Sequence, residues 1–178
     1  MIVILAGVAG SGKSTVGRIV AAQMGWTFED SDLLHSTADI AKMMSGEPLT
    51  DADRWPWLHT VAGWIDQQTA AGKGGVVACS ALKRSYRDFL QQGRPDVRIV
   101  LLEVDQATLS ARLTGRHDHF FPKKLLQSQL AVLEMPTPDE HVLVVPAAGT
   151  PAAMASKIID GLGLAPHSPG SAGGPATG

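Results

Sequence analysis

The 178-residue sequence has one cysteine, Cys79, so no internal disulfide can form, and this usage fits a reducing cytosol. Fifteen Lys and Arg against 17 Asp and Glu leave a formal charge of -2, with a pI near 6.3. There is no global basic field to draw in nucleic acid or an anionic membrane, so any cation cluster must act locally. No stretch approaches the roughly 20 apolar residues that a membrane span needs. The first apolar run, Met1 to Ala6, is short and leads straight into a glycine-rich turn, which predicts a buried strand rather than a signal peptide. These absences point to a soluble, cytoplasmic protein with no nucleic-acid or membrane partner. With 44% apolar residues the chain can nevertheless bury the core of one domain.

What is present is organised around Gly7-Val8-Ala9-Gly10-Ser11-Gly12-Lys13-Ser14-Thr15, a complete G-x-x-x-x-G-K-[ST] phosphate loop. It lies between the apolar run and the helix-forming run Ser14 to Met24, the strand-turn-helix context the motif requires. The glycines let the backbone wrap closely enough for successive N–H groups to point at phosphate oxygens. The helix that follows adds its positive N-terminal end. Lys13 can reach β- and γ-phosphates, and the Ser14 hydroxyl can enter a Mg²⁺ shell. Eight constrained positions in that setting weigh against a chance glycine-rich turn. ATP-type nucleotide binding is the expectation.

Further apolar runs read as strands at Thr27 to Asp30, Gly75 to Ser80, Val97 to Val104 and Val142 to Val145. Helical spacing falls at Leu33 to Met44, Asp53 to Ala71, Lys83 to Gln92, Gln106 to Leu113, Lys123 to Leu133 and Ala152 to Leu162. Alternating strands and helices predict an α/β fold with a parallel sheet covered on both faces. Right-handed crossovers then put the C-terminal ends of the strands on one edge, beside the phosphate loop. The expected domain is 1–164. The remainder, 165–178, is nearly all Pro, Gly, Ser and Ala and is expected to be a disordered tail.

Residues just after each strand are therefore the site candidates. Asp30 and Asp32 are two apart and face the same way in extended chain, so both can approach the triphosphate end, one toward Mg²⁺ and one toward an acceptor hydroxyl. The competing reading of Asp32 is an N-cap for the run that begins at Leu33. Lys42, Asp53 and Arg54 flank a turn-rich segment where a charged polyol could be held, although solvated charges explain them equally well. Trp55, Trp57 and Trp64 read as helix packing. Lys83, Arg84 and Arg87 cluster after the third strand, where an anion is their natural partner. Cys79 reads as a packed thiol. Arg112 and Arg116 run into His117, His119 and Phe120-Phe121. That pattern suits a lid whose arginines neutralise phosphate charge, and it lacks the ligand spacing of a zinc site.

These motifs together resemble the small bacterial-type gluconokinases, relatives of shikimate and adenylate kinases. The resemblance runs from Ile2 to about Gly161 and rests on six stretches: the phosphate loop, D-x-D-x-x-H at Asp30 to His35, K-M-x-x-G-x-P-L-x-D-x-D-R-x-P-W-L at Lys42 to Leu58, C-S-A-L-K-x-x-Y-R-D at Cys79 to Asp88, R-x-x-x-R-x-x-H-F-F at Arg112 to Phe121, and S-Q-x-x-x-L-E-x-P at Ser128 to Pro136. It implies a P-loop kinase fold with a five-stranded parallel sheet in the order 2-3-1-4-5, flanked by helices and carrying a lid. It also implies ATP-dependent transfer to the 6-hydroxyl of D-gluconate. By position, Gly7 to Thr15 with Lys13 would hold ATP, Ser14 and Asp30 would organise Mg²⁺, and Asp32 would receive the acceptor hydroxyl. His35, Lys42, Arg54, Lys83, Arg87, His119 and Gln129 would line the gluconate pocket, and Arg112 and Arg116 would close over the phosphates, Arg116 with a catalytic role. Ser36 and Asp39 depart from the usual Pro and Asn of the family. Members are often homodimers, but no interface is legible in the sequence. Two other readings compete: a shikimate-kinase-like enzyme, and a nucleotide-binding regulator without phosphotransfer.

Overall fold

The computed structural model describes residues 1–105, 108–109 and 123–167. The helix expected over Gln106 to Leu113, the side chains of Arg112, Arg116, His117 and His119, and the chain beyond 167 lie outside the described residues. Five strands, β1 (Ile2–Ala6), β2 (Thr27–Asp30), β3 (Gly75–Ala78), β4 (Val97–Glu103) and β5 (Leu143–Pro146), form one all-parallel sheet in the order β2-β3-β1-β4-β5. The helices are α1 (Lys13–Met24), α2 (Thr37–Met44), α3 (Asp51–Ala70), α4 (Arg84–Gln91), α5 (Lys123–Val132) and α6 (Pro151–Gly161). This is the sheet order implied by the family resemblance.

The alternation of side chains along the strands divides the core into two layers. On one face Ile2, Ile4, Val77 and Ile99 pack against Trp57, Leu58, Val61 and Ile65 of α3 and Tyr86 and Leu90 of α4. On the other, Val3, Leu5, Val76 and Val100 meet Val16 and Val20 of α1 and Met154 and Ile158 of α6. Helix α1 lies close to the sheet: a Cβ at Gly17 would stand 2.6 Å from the Phe28 ring, so the approach depends on glycine. Leu162 and Leu164 pack on this second layer, and the His167 N–H donates to the Gln23 carbonyl at 2.9 Å. Contacts to the domain therefore continue past the expected boundary at 164.

The single helix expected over Leu33 to Met44 is two elements. Asp30 accepts a hydrogen bond from the Asp32 N–H at 3.2 Å and caps a 3₁₀ turn, Ser31–Leu34. His35 is then extended, and Ser36 starts α2 with a reciprocal capping box to Asp39. The two departures from the family pattern, Ser36 and Asp39, are thus partners in one cap. The N-cap of this region is Asp30, which leaves the Asp32 carboxylate outside the capping role.

Cys79 follows β3 and is fully buried, and burial pushes its thiol up to about 12. Native protein at pH 8 should accordingly resist thiol alkylation until denaturant is added, checked by mass after iodoacetamide treatment. Rapid labelling of folded protein would contradict this packing.

Candidate active site

The phosphate loop is held from below and from the side. Val8 is buried with Leu82, Leu109 and Leu126 in a small apolar cluster under the loop. The Gly7 N–H donates to the Ser80 carbonyl at 3.1 Å, which ties the loop to the end of β3. Gly7 has φ 134, and a Cβ there would lie 2.9 Å from the Leu102 carbonyl, so both conformation and space require glycine. Helix α1 starts behind a left-handed Gly12 with no side-chain cap and no acidic residue in its first turn. Its first N–H groups therefore stay available to an anion, with the helix dipole favouring negative charge. Desolvation by burial lowers the pKa of Lys13, opposed by Asp32 and Asp30, and its ammonium donates to the Val8 carbonyl at 3.0 Å.

Ser14 Oγ donates to Asp30 Oδ2 at 2.6 Å, while Asp30 Oδ1 holds the 3₁₀ turn. A hydroxyl and a carboxylate at the mouth of a phosphate cradle are hard oxygen ligands. That set fits Mg²⁺, which takes one or two protein oxygens, waters and substrate phosphates. The cradle and the Ser14–Asp30 pair together fit a Mg²⁺–nucleoside triphosphate.

Beside the loop opens a cavity of about 380 Å³. Its polar wall is Lys13, Asp32, His35, Arg54, Ser80 and Gln129, and its apolar wall is Ile40, Met43, Met44, Leu49 and Leu125. Helix α2 has no fully buried residue and turns Ile40, Met43 and Met44 toward this space. The carboxylate of Asp32 is exposed into it and makes no hydrogen bond or ion pair among the described residues. His35 stacks on Trp57, with ring centroids 4.5 Å apart and planes 10° from parallel. Burial lowers the His35 pKa, with Asp32 and Asp39 opposing, so the imidazole is neutral at pH 7.

Arg54, on the first turn of α3, is 9% exposed and forms no ion pair among the described residues; its Nε donates to the Leu49 carbonyl at 3.4 Å. Among the described residues it is the guanidinium on the cavity wall. Gln129 also reaches the cavity, but its Oε1 accepts the Ala9 N–H at 2.7 Å. An amide assigned to phosphate is therefore held by α5, and the Gln129 NH₂ group is left to donate toward the cavity.

Three cations expected to face a substrate carboxylate are instead engaged within the fold. Arg87 is fully buried: its Nε donates to Glu140 Oε2 at 2.7 Å and its Nη2 to Glu140 Oε1 at 3.1 Å, with Nη1 on the Leu82 carbonyl at 3.0 Å. Lys83 donates to both oxygens of Asp51 at 2.8 Å, and the Tyr86 hydroxyl joins the same carboxylate at 2.6 Å. Lys42 donates to Asp53 Oδ2 at 2.6 Å, and this oxygen also accepts from the Thr50 N–H and hydroxyl. The reason is the same in each case: a cation satisfied by a carboxylate of the domain stabilises an element joint instead of presenting its charge to the cavity. Arg84 is likewise committed to Asp139, at 2.6 Å. The helix expected from Asp53 begins at Asp51, behind a Thr50–Asp53 capping box whose three-residue spacing could have been read from the sequence, but no local signal marked Asp51 and Glu140 as the partners of Lys83 and Arg87.

The model of a family described as "AAA domain" matches residues 2–136. A gluconokinase of Gluconobacter oxydans is 46% identical over 142 residues, 80% of each chain. Among solved structures, a sugar kinase from Janibacter sp. superposes with a TM-score of 0.87 at 42% identity, covering 92% of this chain and 95% of that one. A gluconokinase from Sinorhizobium meliloti superposes with a TM-score of 0.81 at 40% identity, over 90% of each chain.

Proposed function

Because the chain belongs to the gluconokinase family, we propose that it transfers the γ-phosphoryl group of ATP to the 6-hydroxyl of D-gluconate, giving 6-phospho-D-gluconate and ADP. The observation that carries this reading is the single cavity on which Lys13, Asp32 and Arg54 converge beside the phosphate loop. Bound Mg²⁺–ATP supplies the phosphoryl group and screens its oxygens, held by the loop amides, Lys13, Ser14 and Asp30. Asp32 accepts a hydrogen bond from the acceptor hydroxyl and takes its proton late, since phosphoryl transfer runs through a loose transition state and asks for little deprotonation beforehand. Lys13 balances negative charge on the phosphates. Arg54 holds the substrate carboxylate, while neutral His35 and the Gln129 NH₂ group offer hydrogen bonds to the polyol chain. Arg112 and Arg116 neutralise phosphate charge and His119 contacts substrate by family membership alone. ATP as donor and a single buried thiol fit action in the cytoplasm.

ADP release with a panel of acceptors tests this reading. D-gluconate should be turned over and glucose should not, because a neutral acceptor leaves the buried guanidinium of Arg54 unpaired; shikimate and nucleoside monophosphates, which lack the open polyol chain that His35 and Gln129 would hydrogen-bond, should not be turned over either. Comparable kcat/KM for glucose and gluconate would overturn it. Arg54→Met should raise KM for gluconate about tenfold to a hundredfold, the effect of one charge-assisted hydrogen bond, and change kcat less. An unchanged KM would remove Arg54 from the carboxylate site.

A further inference from the structure

Among the described residues the Asp32 carboxylate has no side-chain partner, so its position depends on the short turn that carries it. That turn, Ser31–Leu34, is anchored from one side by the Asp30 cap, at 3.2 Å to the Asp32 N–H. From the other side it meets Trp57 of α3. Trp57 is 2% exposed, its indole N–H donates to the Ser31 carbonyl at 2.7 Å, and the same ring lies flat against His35. One rigid bicyclic side chain thus grips the residue before Asp32 by a hydrogen bond and the residue three beyond it by stacking. Ser31 is itself fully buried, so the turn is packed into the fold at the residue that Trp57 holds. An indole needs a partner for its N–H when buried, and here that partner is the backbone beside the proposed acceptor of the substrate proton.

We propose that Trp57 is a positioning residue for phosphoryl transfer: it fixes the Ser31–His35 backbone so that the Asp32 carboxylate meets the acceptor hydroxyl in line with the transferred group. The proposal rests on the role given to Asp32 above. Misplacing a catalytic group by a fraction of its reach costs rate without costing nucleotide affinity. Phenylalanine at this position keeps an aromatic ring against His35 and removes the indole donor.

The test is a double-mutant cycle of Trp57→Phe with Asp32→Asn, read as kcat and KM for gluconate and ATP together with melting temperature. Asp32→Asn alone should lower kcat about a hundredfold, within the usual worth of general-base assistance. Trp57→Phe alone should lower kcat about tenfold, with KM for ATP within about twofold of the parent enzyme. In the Asp32→Asn background the same change should cost less than about twofold, because the group it positions is already disabled. An equal loss in both backgrounds, or a full kcat for Trp57→Phe, overturns the positioning role. A near-normal kcat for Asp32→Asn removes Asp32 from the chemistry and the proposal with it. If Trp57→Phe does not fold, site-specific replacement of Trp57 by β-(3-benzothienyl)alanine keeps the bicyclic shape and the stacking and deletes only the N–H. The same loss and the same non-additivity with Asp32→Asn are expected of it, and a parental kcat overturns the proposal.

Discussion

Arg87→Ala should destabilise the protein by about 3–5 kcal/mol, the usual cost of removing one partner from a buried ion pair. For a chain of this size that is a fall of roughly 6–20 °C in melting temperature. The reason is what remains: the Glu140 carboxylate, 2% exposed, would lose both guanidinium hydrogen bonds while staying inside the fold. Arg87→Met combined with Glu140→Gln should recover most of the loss. No charge is then stranded, and the amide oxygen can still accept from the Thr137 N–H, now 2.9 Å from Glu140 Oε1. The pH dependence has a definite sign. The hydrogen bond from Arg87 lowers the Glu140 pKa below its ordinary 4.5. The pair therefore contributes its full stability above pH 4.5 and loses it as pH falls through the depressed value. In the Arg87→Ala protein the stranded carboxylate is relieved by protonation, so the gap between variant and parent should narrow in acid. Thermal melts at pH 7 and pH 4 measure both effects. Just as diagnostic, KM for gluconate should stay near the parental value at temperatures where the variant is folded. A tenfold rise in KM without a change in melting temperature would restore Arg87 to the substrate site.

Lys13→Ala should lower kcat by about 10²–10³, the effect of losing one preorganised donor, some 3–4 kcal/mol, where transition-state charge develops. Its melting temperature should change by only a few degrees. The ammonium is already desolvated, which is why its pKa is lowered, and among the described residues its direct hydrogen bond is to the Val8 carbonyl. The same lowering predicts that kcat/KM for ATP falls on the alkaline side below the ordinary lysine value of about 10.4. The lysine must be protonated to attract the triphosphate, and the free enzyme is the state that this parameter reports. Retention of most of the turnover by Lys13→Ala would contradict the phosphate-loop assignment.

The elements that sequence alone determined are those whose physics is local. The phosphate loop was legible because the glycine spacing, the preceding apolar run and the following helix lie within one short stretch. Strands β1, β3, β4 and β5 were legible because continuous apolar runs between helical segments have few other uses in a chain of this length, whereas β2, with Phe28 as its one apolar residue, gave a weaker signal. The Thr50–Asp53 cap at the start of α3 is also local, a pairing three residues apart, although helical spacing in the sequence places the start of that helix at Asp53. The order of the strands came from family resemblance and not from their pattern, since apolar periodicity marks a strand without naming its neighbours.

Tertiary structure decided which charges serve the cavity. Lys83 and Arg87 stand together after β3 and look alike on paper, yet their partners are Asp51, 32 residues away, and Glu140, 53 residues away. A cation at a strand mouth satisfies a ligand's carboxylate and a carboxylate of the fold by the same chemistry, and only packing says which one arrives. Arg54, between Asp53 and three nearby tryptophans, carried no sequence signal stronger than its neighbours, and among the described residues it is the guanidinium that the fold leaves on the cavity wall. Trp57 shows the same limit. Its apolar environment on α3 was foreseeable, but its hydrogen bond to Ser31 spans 26 residues, and it forms because the sheet sets α3 against the turn that carries Asp32. Local spacing specifies elements and loops, whereas the pairing of like groups with distant partners is settled when those elements are brought into contact.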